Sequence, residues 1–433
     1  MDLAYLQKLP DSEFIERRQR VFEQMQDNSA LIVFTETEKR RNSDNEYLFR
    51  PDSYFWYLTG FAEPKSVLLL IKAAEKNESI IFLREKNPEM ETWHGRRLGT
   101  IAAPQQLNID EAYNIDDIDA IFAKKLRDLT ACYYAKGLQE WGDKIVSKTF
   151  SIDWDNVIDW QPMLSEMRLF KSKNEIALMQ QAGQISALGH IRAMKQTRPN
   201  RYEMEIEGEL QYEFSRFGAR FPAYNHIVAG GHNGCILHYT ENDQVLKDGD
   251  LLLIDSGAEF AMYAGDISRT FPVNGKFSPA QREIYQIVLD SMKAAIELLV
   301  PNSSIKIANE KVCRIMVEGL VRLGVLKGDV EQLLADKAYR QFYMHGLGHW
   351  LGLDVHDVGN YGTERDRPLE PGMVLTVEPG LYISPDADVP EQYKGIGVRI
   401  EDNLLITEYG NKNLTTAVPK EMDEIEAIMA QSA

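Results

Sequence analysis

Short apolar runs separated by polar turns and helix-like stretches make up the first 165 residues or so of the chain. The runs are rich in β-branched and aromatic side chains and have the length of buried strands: Leu31–Phe34, Val67–Ile71 and Ile80–Leu83. Strand and helix patterns alternate without a repeat of fixed length. The pattern predicts a mixed α/β domain for this part of the chain.

A different pattern begins near residue 170. Ser172 and Glu175 have the spacing of a capping box, which predicts a long helix running towards Arg192. Ser278 and Gln281 repeat that spacing before a stripe of apolar residues at helical intervals, so a second amphipathic helix is expected there. We therefore predict two domains, 1–168 and 169–433.

The second domain contains an internal repeat. Leu246–Gly257 and Leu369–Gly380 both have a turn with glycine, a five-residue strand-like run, a carboxylate, one further residue and glycine. The carboxylates are Asp255 and Glu378, and their separation (378 − 255 = 123) equals that of the turn glycines (372 − 249 = 123). The repeat predicts two similar halves related by a pseudo-twofold axis.

Each half continues into a second segment with another acidic residue. Asp266 lies 11 positions after Asp255 and Glu401 lies 23 positions after Glu378, so a loop insertion is expected around 383–393 in the second copy. Acidic residues at strand ends commonly face solvent or cap a helix. Four that converge at an axis would repel one another unless cations lay between them. Two divalent ions would neutralise the four charges, and the oxygen-rich donor set favours Mn²⁺, with Co²⁺ and Zn²⁺ as alternatives.

Histidines are crowded in the approach to the second copy. Three of the eight histidines, His345, His349 and His356, lie within twelve positions among glycines. Imidazole binds transition metals and transfers protons near neutral pH, so the cluster indicates a reaction centre with an imidazole ligand. The alternative is a histidine-rich surface turn.

Composition excludes several other classes of protein. Apolar residues make up 44% and charged residues 26% of the 433, as in ordinary globular proteins. The formal net charge of -18 argues against nucleic-acid binding, and the apolar runs are too short to span a membrane. Three scattered cysteines give neither a disulfide framework nor a thiolate zinc site, and Met1–Lys8 does not resemble a secretion signal. We expect a cytoplasmic protein.

The motifs resemble those of the prolidase and aminopeptidase P branch of the metallopeptidases with the pita-bread fold. In the second domain they are Ile254–Gly257, Gly265–Phe271, His345–Gly359, Thr376–Gly380 and Val398–Asp402. In the first domain, Pro51–Phe61 and Trp93–Gly99 resemble aminopeptidase P more closely than the dipeptide-cleaving prolidases, although His94 stands where relatives often have an aromatic residue. The resemblance implies an α+β protein, with an N-terminal mixed α/β domain and a pita-bread catalytic domain.

The resemblance also implies roles for individual residues. The ligands of two divalent ions would be Asp255, Asp266, His349, Glu378 and Glu401. Glu378 would also take a proton from the attacking water, which becomes a metal-bridging hydroxide, and pass it to the leaving proline nitrogen. His356 and His238 would donate hydrogen bonds as charge develops on the carbonyl oxygen. For His238 the residues alone favour a core histidine on a strand.

Other residues would support the site or contact the substrate. Arg399 lies two residues before Glu401, where its guanidinium could hold a metal-binding carboxylate. An imide bond has no N–H, so the proline ring must be recognised by shape. The expected substrate contacts are His345, Tyr382, Arg365 and Trp93. In a homodimer or homotetramer, Trp93 would reach the cleft of a neighbouring subunit.

Three functions remain open at this point. The first is an aminopeptidase that hydrolyses the bond between an N-terminal residue and a following proline. The second is the same chemistry restricted to Xaa-Pro dipeptides, and the third is a non-catalytic pita-bread protein that binds peptides. A two-metal phosphatase is disfavoured because no cluster of lysine and arginine lies beside the acidic residues.

Overall fold

The computed structural model describes residues 8–149 and 156–431, which form two compact units. One unit is Leu9–Arg168, and the other contains Leu169–Ala433. Of the N-terminal segment that was compared with secretion signals, the first seven residues lie outside the described residues.

The N-terminal unit is built on a mixed sheet. Its strands are β1 (Ser29–Phe34), β2 (Arg40–Asn42), β3 (Asn45–Glu46), β4 (Val67–Lys72), β5 (Asn77–Leu83), β6 (Glu111–Asn114) and β7 (Ala131–Tyr133). Its helices are α1 (Asp11–Gln24), α2 (Ser53–Thr59), α3 (Pro88–His94), α4 (Gly99–Leu107), α5 (Ile118–Lys125), α6 (Glu140–Thr149) and α7 (Gln161–Leu169).

Five of these strands form one sheet in the order β6-β5-β4-β1-β7. The central strands β1, β4 and β5 run antiparallel, and β6 and β7 join the edges in parallel. The three apolar runs read from the sequence are these central strands, buried along almost their whole length. The predicted mixed α/β architecture is confirmed.

The C-terminal unit combines long helices with small antiparallel sheets. The helices are α8 (Lys173–Gln196), α9 (Glu203–Arg216), α10 (Pro279–Leu298), α11 (Ile305–Arg322), α12 (Val330–Ala335) and α13 (Met422–Met429). The strands are β8 (Phe221–Pro222), β9 (Ile227–Gly230), β10 (Leu251–Asp255), β11 (Ala258–Phe260), β12 (Tyr263–Ala264), β13 (Ser268–Pro272), β14 (Val374–Val377), β15 (Gly380–Tyr382), β16 (Gly397–Arg399), β17 (Asp402–Thr407) and β18 (Gly410–Asn413).

Both predicted capping boxes are present. Ser172 accepts from the backbone N–H of Glu175, whose side chain accepts in return from the Ser172 N–H, and α8 begins there. Ser278 and Gln281 cap α10 in the same way. The apolar faces of these helices pack into one continuous core with the strands of the repeat. Among the described residues, no helix is both long enough and apolar enough to cross a lipid bilayer.

The internal repeat is visible in the strand pairing. In the first half β10 pairs antiparallel with β13, and in the second half β14 pairs antiparallel with β17. Ile254 lies opposite Arg269, and Val377, 123 residues after Ile254, lies opposite Asp402. The return strands are therefore offset by 133 residues (402 − 269 = 133), which leaves ten extra residues in the second copy. The expected insertion corresponds to the loop between β15 and β16.

Candidate metal centre

The two repeated carboxylates stand at equivalent strand ends. Asp255 is the last residue of β10, and Glu378 directly follows β14. The glycine two residues after Asp255 permits a tight approach, because a Cβ added at Gly257 would lie 1.6 Å from the carbonyl oxygen of Gly265. This contact brings the turn after β10 against the residue that precedes Asp266.

Asp266 and Glu401 lie just before the return strands and are almost completely buried, with 3% and 2% exposure. Asn403 fixes the backbone of Asp266 by accepting from its N–H at 3.0 Å and donating to its carbonyl at 2.5 Å. Glu401 accepts a hydrogen bond from Ser268 Oγ at 2.7 Å. Groups of the opposite repeat thus hold the backbone of Asp266 and the carboxylate of Glu401.

His349 is oriented with one nitrogen towards the carboxylates. Its Nε2 lies 3.3 Å from Asp266 Oδ2 and 3.5 Å from Glu378 Oε1. Its Nδ1 lies 2.9 Å from the Trp350 carbonyl oxygen, which can only accept, so Nδ1 carries a proton. Ligand atoms of Asp266, His349 and Glu401 all lie within 4.8 Å of one another.

Without a bound cation, ionised carboxylates in this site are energetically unfavourable because they are desolvated and lie close together. Burial raises the pKa of Glu378 to about 7 and raises the pKa of Asp266 and Glu401, with neighbouring carboxylates adding to the effect. Burial would lower the pKa of His349, but Asp266 and Glu378 raise it to about 9. A divalent cation would replace these protons, so the donor set fits hard or borderline metal ions.

Two further side chains hold the acids. Arg399 Nη2 donates to Asp255 Oδ2 at 2.7 Å, and its Nε donates to Ser268 Oγ at 2.8 Å. The predicted contact of Arg399 with a carboxylate of the site is present, but the carboxylate is that of Asp255, and Glu401 is reached only through Ser268. Counted along the return strands, Ser268 corresponds to Glu401 (268 + 133 = 401), and their backbones are hydrogen-bonded at 3.0 Å.

Tyr224 belongs to the site although sequence reasoning missed it. Its hydroxyl lies 2.6 Å from Asp255 Oδ1 and 2.5 Å from Asp266 Oδ1. It follows the two-residue strand β8 and belongs to neither repeated motif. No signal in a single sequence singles it out from the other 18 tyrosines.

His345 and Tyr382 extend the network from Arg399. Arg399 Nη1 donates to the Tyr382 hydroxyl at 3.0 Å, and that hydroxyl lies 2.8 Å from His345 Nε2. His345 Nδ1 donates to the Gly346 carbonyl, so Nε2 accepts from Tyr382. Burial lowers the pKa of His345 to about 4, with Arg399 adding to the effect, so this imidazole is neutral at neutral pH.

A pocket of about 620 Å³ opens over the carboxylates, a volume suited to a small peptide. All five predicted metal ligands line it, together with Arg399, Tyr224 and the other predicted contact residues His238, His345, His356 and Arg365. The glycine-rich segment around Gly348 forms one wall of the pocket and lies close to β14, since a Cβ added at Gly348 would lie 2.0 Å from the Thr376 carbonyl oxygen.

The pocket residues differ in exposure. His238 is exposed and lies in a turn, so the interpretation as a core histidine on a strand is wrong. His356 is exposed, with its ring centroid 4.3 Å from that of His349. Arg365 donates to the Gly348 carbonyl and lies over the Tyr361 ring, 4.6 Å from its centroid.

Two predicted substrate contacts are not part of this pocket as described. Tyr382 is 2% exposed and does not line the pocket, so the expectation that it contacts the substrate there is corrected. Its hydroxyl instead contacts His345 and Arg399. Trp93 lies on α3 of the N-terminal unit with 78% exposure. Its contact with a neighbouring subunit stays a prediction.

Comparisons with known proteins cover the whole chain. Residues 177–408 match the model of metallopeptidase family M24, and residues 14–133 match that of the aminopeptidase P N-terminal domain. The Xaa-Pro aminopeptidase of Haemophilus influenzae is 66% identical over 99% of this chain and 100% of its own length, and that of Escherichia coli K12 is 53% identical over 98% and 99%.

Solved structures give the same result. A zinc-substituted E. coli aminopeptidase P in complex with product matches with a TM-score of 0.97 at 52% identity, covering 99% of this chain and 100% of that one. Proline aminopeptidase P II from Yersinia pestis matches with a TM-score of 0.96 at 53% identity, covering 98% and 100%. The predicted α+β fold with a pita-bread domain and the predicted family are both confirmed: the chain belongs to metallopeptidase family M24, with an N-terminal domain of the aminopeptidase P type.

Proposed function

We propose that the chain is a metal-dependent exopeptidase that hydrolyses the bond between an N-terminal residue and a following proline. The observation that carries the proposal is a group of four carboxylates, two of them buried, that lines a pocket of peptide size together with His349. Identity of 66% and 53% over nearly the full length of two proteins named Xaa-Pro aminopeptidase supports the substrate class.

We assign two divalent ions to the site, with Mn²⁺ preferred over Co²⁺ and Zn²⁺ because four of the five donors are carboxylates. The residues that would hold them are Asp255, Asp266, His349, Glu378 and Glu401. Bound there, the ions would lower the pKa of a water molecule and polarise the scissile carbonyl. Binding of the two ions would reduce the electrostatic repulsion among the four carboxylates.

Side chains of the protein would transfer the proton and orient the substrate. Glu378, partly buried beside His349 and with its pKa raised to about 7, is suited to accept a proton from the attacking water and return it to the proline nitrogen. That nitrogen leaves as a secondary amine and needs the proton. His238 and His356, both exposed at the pocket, are the donors for the carbonyl oxygen or the peptide backbone.

The proline ring would be recognised by the shape of an uncharged group, and the flanking peptide backbone by a charged one. His345 is neutral and offers an imidazole face, held from behind by Tyr382. Arg365 fixes the glycine-rich wall through the Gly348 carbonyl and presents its charge to the pocket. These assignments, and a contribution from Trp93 of a neighbouring subunit, are part of the proposal.

The wider organisation is proposed on the same basis. Residues 1–168 would form the aminopeptidase P-type domain, and residues 169–433 would form the catalytic domain. The peptide with proline at its second position is the one partner assigned. A cytoplasmic location and assembly as a homodimer or homotetramer remain predictions from the sequence.

A comparison of two substrates tests the function. Metal-loaded protein should release alanine from Ala-Pro-Ala much faster than from the dipeptide Ala-Pro, and should leave Ala-Ala-Ala nearly intact. Faster cleavage of Ala-Pro would assign the chain to the dipeptidases instead. A protein that binds no metal and cleaves none of the three would be a binding scaffold, whereas about two bound ions per chain with activity restored by Mn²⁺ would exclude it.

A further inference from the structure

A second, polar cavity of about 370 Å³ lies beside the metal pocket in the C-terminal unit. Its lining includes Glu207, Gln211, Asn225, His226, Thr240 and Asn242. Asn225 and Thr240 also line the metal pocket, and both are exposed. The two cavities therefore share one wall, at the solvent-facing side of the metal pocket.

The shared wall lies where a bound peptide would leave the site. An enzyme that removes one residue must place the N-terminus inside the metal pocket and let the rest of the peptide run out to solvent. His238, assigned above to the peptide carbonyls, precedes Thr240 by two residues, and both side chains are exposed and line the metal pocket. Residues that follow the proline can then pass over Asn225 and Thr240 towards the second cavity.

Glu207 gives the second cavity a negative charge. It is half-buried on α9, and it is the one Asp, Glu, Lys or Arg among the described residues that line the cavity. The described residues give Glu207 no lysine or arginine partner, and its Oε2 accepts from Asn242 Nδ2 at 2.9 Å. His226 adds no positive charge at neutral pH, because burial lowers its pKa.

The carboxylate of Glu207 is held by a rigid neighbour. Asn242 is 2% exposed, donates to the His226 carbonyl at 2.9 Å, and accepts from the Val228 N–H at 3.0 Å. Two hydrogen bonds thus fix the amide that donates to Glu207. A carboxylate oriented in this way, with polar amide groups around it, suits an incoming ammonium or guanidinium group.

We propose that this cavity is a subsite for a lysine or arginine side chain of the substrate, carried by a residue on the C-terminal side of the proline. The proposal rests on the function proposed above and adds a selectivity to it. Peptides with a basic residue one to three positions after the proline would bind through Glu207, in addition to the contacts of the Xaa-Pro unit.

Matched peptides test the subsite. In Ala-Pro-Ala-Ala-Ala, lysine replaces the third, fourth or fifth residue in turn, and norleucine replaces the same residue as the uncharged control of similar length. For one of these positions we expect kcat/KM of the lysine peptide to exceed that of the norleucine peptide about 3- to 5-fold at low salt, the size of a partly exposed ion pair. The ratio should fall as salt is added.

Variants assign that ratio to Glu207. Glu207→Gln should bring it to about one, and Gln211→Glu, which adds a carboxylate to the same cavity, should raise it. Glu297→Gln, at an exposed position on α10, changes the net charge equally and should keep the wild-type ratio and wild-type activity on Ala-Pro-Ala. Each ratio is taken within one enzyme, so a general loss of activity in a variant cancels.

Failure of the subsite and failure of the function give different results. If the wild-type enzyme does not cleave Ala-Pro-Ala, the proposed function itself is wrong. If it cleaves Ala-Pro-Ala but shows equal kcat/KM for lysine and norleucine at all three positions, the subsite is wrong and the function stands. A lysine preference that survives unchanged in Glu207→Gln and in Gln211→Glu also overturns the subsite.

Discussion

Arg399 Nη2 donates a hydrogen bond to Asp255 Oδ2 at 2.7 Å, which joins the strand end of the first repeat to the return segment of the second. Arg399 is 4% exposed, and its other donors reach Ser268 and Tyr382. Through Ser268 the same guanidinium also reaches Glu401. One side chain therefore positions two carboxylates that come from opposite halves of the repeat.

Arg399→Lys should weaken the metal site while keeping the positive charge. An ammonium cannot reproduce the planar set of donors to Asp255, Ser268 and Tyr382. We expect a loss of about 10- to 100-fold in metal affinity or activity, as for other groups that orient metal ligands. Titration with Mn²⁺ and steady-state kinetics would measure it. The control is Arg314→Lys, whose partners Glu318 and Glu331 are exposed; equal effects of the two changes would refute the role of Arg399.

Tyr224→Phe should lower activity without unfolding the protein. The change removes the hydroxyl that lies between Asp255 Oδ1 and Asp266 Oδ1 and leaves the ring in place. Each carboxylate then gains a rotational freedom that the metal must restrict on binding. We expect about a 10-fold fall in kcat at saturating Mn²⁺. Tyr212→Phe, at an exposed ring, is the control, and wild-type kcat in Tyr224→Phe would show that the hydroxyl is dispensable.

Metal affinity should increase with pH across the neutral range. Burial raises the pKa of Glu378 to about 7, and the pKa of His349 is raised to about 9 by Asp266 and Glu378 against the effect of burial. Both groups thus hold protons that a cation must displace, and they give them up as the pH rises. The apparent Kd for Mn²⁺ should therefore decrease between about pH 6 and 9.

Calorimetry in buffers of different ionisation enthalpy would count the protons released on Mn²⁺ binding. Near pH 7 we expect one to two protons released per chain, mainly from His349 and Glu378. Glu378→Gln should reduce that number. A proton release of zero, with a Kd that does not change from pH 6 to 9, would contradict the pKa values of the metal-free site.

The sequence predicted the architecture well because its strongest signals are local. Capping boxes at Ser172 and Ser278 begin α8 and α10 as expected. The fixed offset of 123 residues located Asp255 and Glu378 at equivalent strand ends, because a repeat preserves spacing along the chain. Hydrophobic runs of strand length became the central strands of the N-terminal sheet.

Contacts across the repeat were less predictable. The sequence puts Arg399 near Glu401, but its guanidinium turns to Asp255, 144 residues away. Tyr224 comes from a short strand outside both motifs, and Tyr382 is buried behind His345 instead of lining the pocket. Such placements depend on how two halves pack in three dimensions, which spacing within either half does not encode.

Glu203→Gln should impair the segment that carries His238. Glu203 is completely buried and accepts hydrogen bonds from the N–H groups of Gly230 and Gln244, from Asn233 Nδ2, and from the Tyr239 hydroxyl. An amide replaces one acceptor oxygen with a donor, so at least one of these four bonds is lost. Because Tyr239 follows His238 directly, the histidine loses its fixed position.

We expect kcat/KM of Glu203→Gln to fall by about 10-fold or more, with the bound Mn²⁺ per chain unchanged, since none of the metal ligands lies in this segment. Glu297→Gln, at an exposed position on α10, removes the same charge away from this segment and is the control. Loss of metal together with activity in Glu203→Gln would mean that the whole site, and not the His238 segment, had been disturbed.

Arg269→Met should destabilise the protein by removing the ion pair at the centre of the repeat. Arg269 and Asp402 occupy equivalent positions of β13 and β17, and Nη2 of the arginine lies 2.7 Å from Oδ1 of the aspartate. Both side chains have no exposed area. Burial would raise the pKa of Asp402, but Arg269 and Lys420 hold it below its ordinary value, so the carboxylate stays charged.

Removal of one partner of such a pair leaves a buried charge, which costs about 3 to 5 kcal/mol in the free energy of unfolding. Urea denaturation would measure it, with Arg314→Met as the control, for which we expect a much smaller loss because its partners Glu318 and Glu331 are exposed. The double variant Arg269→Met/Asp402→Leu should recover part of the loss, because the buried carboxylate of Asp402 is then removed as well and Lys420, 21% exposed, can turn to solvent. A double variant less stable than Arg269→Met would show that Asp402 stabilises the repeat through Asn413 and Thr415 rather than through its charge.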